Sequence, residues 1–124
     1  MIGYVTLGAN QIETSAKFYD ELLALIGAKR FMESDTFIAW AVDPARPALG
    51  ITKPFNGQTA TVGNGVMVAL AVKAPEKVDE MHAKALALGG KDEGAPGPRG
   101  SSGFYAGYFR DLEGNKLNVF CMTK

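Results

Sequence analysis

The sequence has one cysteine, one histidine and no excess of charge of either sign. A lone Cys121 makes no internal disulfide and belongs to no CxxC or Cys/His metal spacing, so nothing calls for an oxidising compartment and a reducing cytoplasm is the expected location. A lone His82 cannot build a two-histidine metal site, and its place on an amphipathic helix reads as that of a partly buried structural histidine. Thirteen Lys plus Arg balance thirteen Asp plus Glu with no charge block, which argues against a nucleic-acid partner. Long hydrophobic runs are missing as well. The longest uncharged stretch, residues 54–72, is broken by Asn56, Gln58, Thr59, Thr61 and Asn64 and is too polar to cross a bilayer. The opening Met1-Ile2-Gly3-Tyr4 has no basic region leading into an apolar stretch, so no secretory signal is expected.

What is present is an ordinary globular composition, 47% apolar and 21% charged over 124 residues, enough for a single domain spanning 1–124 with its own core. Within it the chain repeats itself. Tyr4-Val5-Thr6-Leu7 matches Met67-Val68-Ala69-Leu70 63 residues on, and Ile26-Gly27-Ala28-Lys29 matches Leu88-Gly89-Gly90-Lys91 62 residues on. Each half opens with a short apolar strand and continues into a helix. In the first helix, about residues 13–26, Ala16, Tyr19, Leu22, Leu23 and Ile26 recur at three- and four-residue intervals and Gly27 stands at the end. The second, about residues 75–88, starts at Pro75, carries Val78, Met81, Ala85 and Leu88 on one stripe, and stops at Gly89-Gly90.

Beyond each helix the pattern becomes extended. Residues 31–33, 36–42 and 49–53 read as strands in the first half, and residues 104–110 and 116–122 in the second, with a less definite strand near Lys91. The expected organisation is α+β: a βαβββ module over about 1–55, a Gly/Asn/Thr-rich linker over about 56–64, and a second βαβββ module over about 65–124. A helix covers one face of each four-stranded sheet, and pairing the two bare faces would make a curved mixed sheet around a cavity.

In this order and spacing, the opening strand followed by Ser15-Ala16-Lys17-Phe18-Tyr19, the helix end Ile26-Gly27-Ala28, the second start Met67-Val68-Ala69-Leu70-Ala71-Val72 and the closing Tyr108-Phe109-Arg110-Asp111-Leu112-Glu113-Gly114-Asn115-Lys116-Leu117 resemble the vicinal oxygen chelate superfamily. That superfamily groups glyoxalase I, bleomycin-resistance proteins and extradiol dioxygenases. The resemblance covers the whole chain and implies the glyoxalase/bleomycin-resistance fold and a homodimer. Its metal-dependent members hold a divalent ion on His or Gln and Glu side chains. The resemblance puts those positions at Tyr4, Met67 and Asn118, with the fourth near Lys53. A phenol, a thioether, an amide and an ammonium make a poor set for such an ion, so neither the family metal nor another cofactor is expected.

The cavity implied by this resemblance is lined by Tyr4, Trp40, Lys53, Met67, Arg99, Tyr105, Tyr108 and Asn118, a mixture suited to a small, partly hydrophobic ligand. Lys53 facing such a cavity would be desolvated and able to hold an anion or act as a base. The Gly/Pro-rich stretch 94–103 reads either as a flexible connection or as a lid carrying Arg99. Along residues 104–110, alternation sets Phe104, Tyr108 and Arg110 on one face and Tyr105 and Phe109 on the other. Cys121 falls opposite Asn118 and reads as core. The expected function is metal-free binding of a small molecule. The alternative is a lyase, isomerase or dioxygenase of the same superfamily, with a displaced metal or with Lys53, Tyr4 and Tyr105 in acid–base roles.

Overall fold

The computed structural model describes residues 1–124 and divides into two compact units, residues 1–63 and 64–124. The first contains β1 (Tyr4–Gly8), α1 (Ile12–Ala24), β2 (Lys29–Glu33), β3 (Phe37–Ala41) and β4 (Ala48–Thr52). The second contains β5 (Val68–Ala71), α2 (Pro75–Ala87), β6 (Lys91–Pro98), β7 (Phe104–Arg110) and β8 (Lys116–Met122). Both sheets have the same topology, β1-β4-β3-β2 and β5-β8-β7-β6. In each the first strand pairs parallel with the last and the remaining pairs are antiparallel. The sequence repeat is therefore a repeat of βαβββ units, and neither helix is long and apolar enough to cross a membrane.

The matched glycines show why the repeat is also one of backbone geometry. Gly27 and Gly89 adopt φ of 79° and 102°, values at which a side chain would be strained. They let the chain turn back so that Ala28 N–H donates to Leu23 O at 3.0 Å and Gly90 N–H to Ala85 O at 2.9 Å. These are the six-to-one bonds that satisfy the last carbonyls of a helix.

Register fixes which side chains meet the helix. In the first unit Trp40 pairs with Leu49, Ile38 with Ile51, and Ile51 with Leu7, so all five share one face, and all are buried. The Trp40 indole lies 5.5 Å from the Tyr19 ring of α1 and its Nε1–H donates to Asp20 Oδ1 at 2.8 Å. Arg30 of β2 closes this brace with two bonds to the Asp20 carboxylate, at 2.9 and 2.8 Å. In the second unit Leu117, Val119, Cys121, Phe109 and Tyr105 share the face toward α2 with Val78, Met81 and His82. His82 Nε2 lies 3.0 Å from Asp92 Oδ1 and 3.1 Å from the Tyr108 carbonyl oxygen. Both are acceptors, so Nε2 carries the hydrogen and the ring ties α2 to β6 and β7. Gly107 makes room for it, since a Cβ there would sit 3.1 Å from the imidazole.

One expected segment differs. Residues 94–98 are not a free lid but the outer half of β6, which runs to Pro98 with two register irregularities against β7. Pro96 and Pro98 are tolerated because β6 is the edge strand, where a missing N–H leaves no partner unmatched. Only the short turn at 99–103 stands outside the strands, and Arg99 N–H closes its base on Phe104 O at 2.7 Å.

Candidate functional site

Each sheet leaves one face uncovered by its own helix. In the first unit that face carries Tyr4 and Thr6 of β1, Ala48 and Gly50 of β4, and Phe37 and Ala39 of β3, paired across the ladders as Tyr4 with Ala48, Thr6 with Gly50 and Ala39 with Gly50. The small residues form a floor. Gly50 lies under the Phe37 ring, which would be 3.1 Å from a Cβ, and Phe37 meets Tyr4 edge-on at 6.2 Å. A register shift between Arg30 and Met32 adds one residue to β2, so that Phe31 and Met32, though consecutive, line the same side. The result is a hollow of about 500 Å³ walled by Tyr4, Phe31, Met32 and Phe37 over Ala39 and Ala48, with Arg46 of the β3–β4 turn at its edge. Tyr4, Phe31 and Met32 are 64%, 48% and 53% exposed there, a concentration of large apolar surface of the kind that marks interaction or ligand sites.

The open face of the second unit is different in character. Tyr108 and Asn118 sit directly across from one another, with Ala69 beyond Asn118. The Arg99 guanidinium lies 5.4 Å and the Lys116 ammonium 5.6 Å from the Tyr108 ring centre. Arg99 also donates to the carbonyls of Ala95 and Gly97, at 2.7 and 2.9 Å. Arg110 is taken up by Glu93 at 2.6 Å, which holds the Glu93 carboxyl below its ordinary range. Farther along the face Phe104 and Phe120 stack at 5.3 Å. Asn118 is 1% exposed and its Oδ1 has no hydrogen-bond partner. Leaving a buried acceptor unpaired costs about 1–3 kcal/mol, so exchanging Asn118 for leucine, which has the same branching, removes a penalty that outweighs the strain of its larger methyl groups. Asn118→Leu is expected to raise stability by about 1 kcal/mol, seen as a higher urea midpoint at unchanged slope; a lower midpoint would show that the amide is satisfied.

The expected site residues are found in both units. Tyr4 belongs to the apolar hollow, and Tyr108, Arg99 and Asn118 to the open face of the second sheet. Met67 lies just before β5 and is 40% exposed. Trp40 does not line any open face: it is buried against α1, on the opposite side of β3 from Phe37 and Ala39. Tyr105 likewise points to α2, where its hydroxyl donates to Asp79 Oδ1 at 2.7 Å, and that bond, with burial, pushes its phenol above the usual value. Its hydroxyl is therefore directed at α2 rather than at the open face of the sheet. Lys53 follows β4, is exposed, and lines a separate small hollow with Asn10 and Gln58. Cys121 is buried, and burial with the nearby Glu76 and Asp79 carboxylates raises its thiol, making it unreactive core. Sequence reasoning missed Phe31, Met32, Phe37 and Arg46. The small residues Ala39, Ala48 and Gly50 at alternating positions were the available sign of a hollow, but a β-bulge such as the one at Phe31 has no mark in the sequence.

The donor set does not suit the family's divalent ion. Of the four implied positions, Tyr4 offers a neutral phenol, Met67 a thioether and Lys53 a cation; Asn118 alone brings a suitable oxygen, and nowhere do three His, Cys, Asp or Glu side chains converge.

Comparison with known proteins agrees with this architecture. No match is found among curated proteins. Among solved structures, a glyoxalase/bleomycin resistance protein from Albidiferax ferrireducens T118 is 38% identical, with 98% of each chain covered and a TM-score of 0.87. Lactoylglutathione lyase from Agrobacterium tumefaciens (19% identical, 98% of this chain and 92% of that one, TM-score 0.70) shares the fold. So does the fosfomycin resistance protein FosX from Listeria monocytogenes (16% identical, 99% and 93%, TM-score 0.73). The Glyoxalase/Bleomycin resistance protein/Dioxygenase superfamily model matches residues 1–119 of this chain. With its two βαβββ units and this match over nearly its whole length, the chain belongs to the Glyoxalase/Bleomycin resistance protein/Dioxygenase superfamily.

Proposed function

We propose that the protein binds a small, partly hydrophobic molecule on the open face of its first sheet, without the family's metal, and acts as a homodimer. The observation that carries this reading is the hollow of about 500 Å³ in which Tyr4, Phe31 and Met32 stand exposed beside the half-buried Phe37 around a floor of alanines. Its size lies within the span of roughly 300–1,000 Å³ typical of small-molecule sites, and its walls are aromatic and thioether surface that an apolar ligand would cover. Metal-free binding rests on the donor set. The dimer rests on the family resemblance, and static light scattering tests it: a mass of two chains is expected, and a monomer would remove it from the proposal. Acid–base work by Tyr105 forms no part of the reading, because its hydroxyl is already given to Asp79.

N-Phenyl-1-naphthylamine, an uncharged dye that brightens in apolar surroundings, tests the hollow. Saturable binding is expected. Tyr4→Ser combined with Phe31→Ser should weaken it at least tenfold, because losing about 1.4 kcal/mol of contact already has that effect and two aromatic walls are removed. Both side chains are exposed, so folding should be little changed. Equal affinity in the double variant would place the dye, and the proposed site, elsewhere.

A further inference from the structure

We infer that the ligand of this hollow is an apolar monoanion, an aromatic or branched molecule ending in a carboxylate or like group, with its charge held by Arg46. The inference rests on the reading of the hollow as a ligand site and adds the chemistry of the ligand's polar end. Of the residues lining the hollow, Arg46 is the single charged one; the others are Gly3, Tyr4 and apolar side chains. Its side chain has no hydrogen bond or ion pair; only its backbone N–H is used, donating to Asp43 O at 2.9 Å.

Neither Asp43 nor Glu33 pairs with the Arg46 side chain. Asp43, in the same turn, accepts the Ala45 N–H at 2.8 Å, and Glu33 at the end of β2 is paired with Arg30 at 2.9 Å. Arg30 in turn is neutralised by both Glu33 and Asp20. Lys29, on the adjoining hollow that shares Phe31 and Pro44, adds a second positive charge with no carboxylate against it. A guanidinium left unpaired at the edge of apolar surface offers a planar fork of donors to an oxyanion whose body fills the hollow. The Tyr4 hydroxyl, on the strand beside Ala48, supplies a second donor. A neutral ligand would use the walls and leave Arg46 idle. A cation would meet Arg46 and Lys29, two positive charges against the single unpaired carboxylate of Asp43.

Two dyes that differ by one sulfonate separate this inference from the reading beneath it: N-phenyl-1-naphthylamine and 1-anilinonaphthalene-8-sulfonate. The anionic dye is expected to bind about five- to tenfold tighter, between the return from a fully exposed ion pair and that from a desolvated, bidentate one. Arg46→Gln should abolish the preference, bringing the anionic dye to the affinity that the same variant shows for the uncharged one. Added salt should narrow the gap for the native protein and not for the variant. If the two dyes bind equally, or if the preference survives in Arg46→Gln, the assignment to Arg46 is wrong although the hollow stands. If neither dye binds, the ligand site itself is refuted.

Discussion

Trp40→Ala is expected to destabilise the first unit by about 3–5 kcal/mol, the cost of emptying a buried aromatic position. The indole is 2% exposed, packs on Tyr19, receives the Arg30 guanidinium 5.9 Å from its ring centre and donates to Asp20. Removing it opens a cavity between β3 and α1 and takes one donor from the carboxylate that braces them. Urea unfolding followed by far-ultraviolet circular dichroism measures the loss; a change below about 1 kcal/mol would mean that the indole is not core. The same brace has a pH signature. Hydrogen bonds from Arg30 and then from Trp40 hold the Asp20 carboxyl below the ordinary carboxylate range. A carboxyl lowered in the folded state adds stability above its unfolded pKa of about 3.9 and forfeits it as pH falls through the lower folded value. The difference between native protein and Asp20→Asn should therefore shrink in acid.

Gly90→Ala is expected to cost about 2–3 kcal/mol, at the upper end of overpacking, because the obstacles are backbone and cannot turn aside. A Cβ at Gly90 would lie 2.7 Å from the Arg110 carbonyl oxygen and 2.8 Å from that of Ala85. The Ala85 oxygen also accepts the Gly90 N–H that ends α2, so relief requires α2 to move from β7 or that bond to break. The contrast is Gly57→Ala, where a Cβ meets nothing within 4 Å and a φ of 74° supplies the only penalty, of about 1 kcal/mol. Thermal unfolding of the two variants side by side checks the ranking. Equal losses would show that the clash at Gly90 relaxes freely.

The parts legible in the sequence were those carried by periodicity and by glycine. Both helices, their Gly27 and Gly89 ends and the paired βαβββ order follow from residue spacing, because a helix needs its apolar stripe and its left-handed exit whatever surrounds it. The site was harder to read for a physical reason. β3, Phe37-Ile38-Ala39-Trp40-Ala41, is apolar on both faces, so alternation separates Phe37 from Trp40 without saying which side the helix takes. The choice is made by Asp20 and Arg30, distant in sequence, which draw the indole under α1 and leave Phe37 on the open face. Tyr105 went the same way through Asp79. Edge-strand prolines concealed β6, since Pro96 and Pro98 look like loop residues until the strand is known to lie at the sheet's margin.

A ligand bound in the exposed hollow on the first sheet would leave its mark on the backbone amides around it. The most direct test is a two-dimensional amide NMR titration of the native protein with N-phenyl-1-naphthylamine. Saturable shifts are expected to concentrate at residues 3–4, 31–32, 37–39 and 46–48, with the Trp40 indole N–H nearly still behind the sheet. Shifts centred on the second unit, or none that saturate, would contradict binding in the hollow.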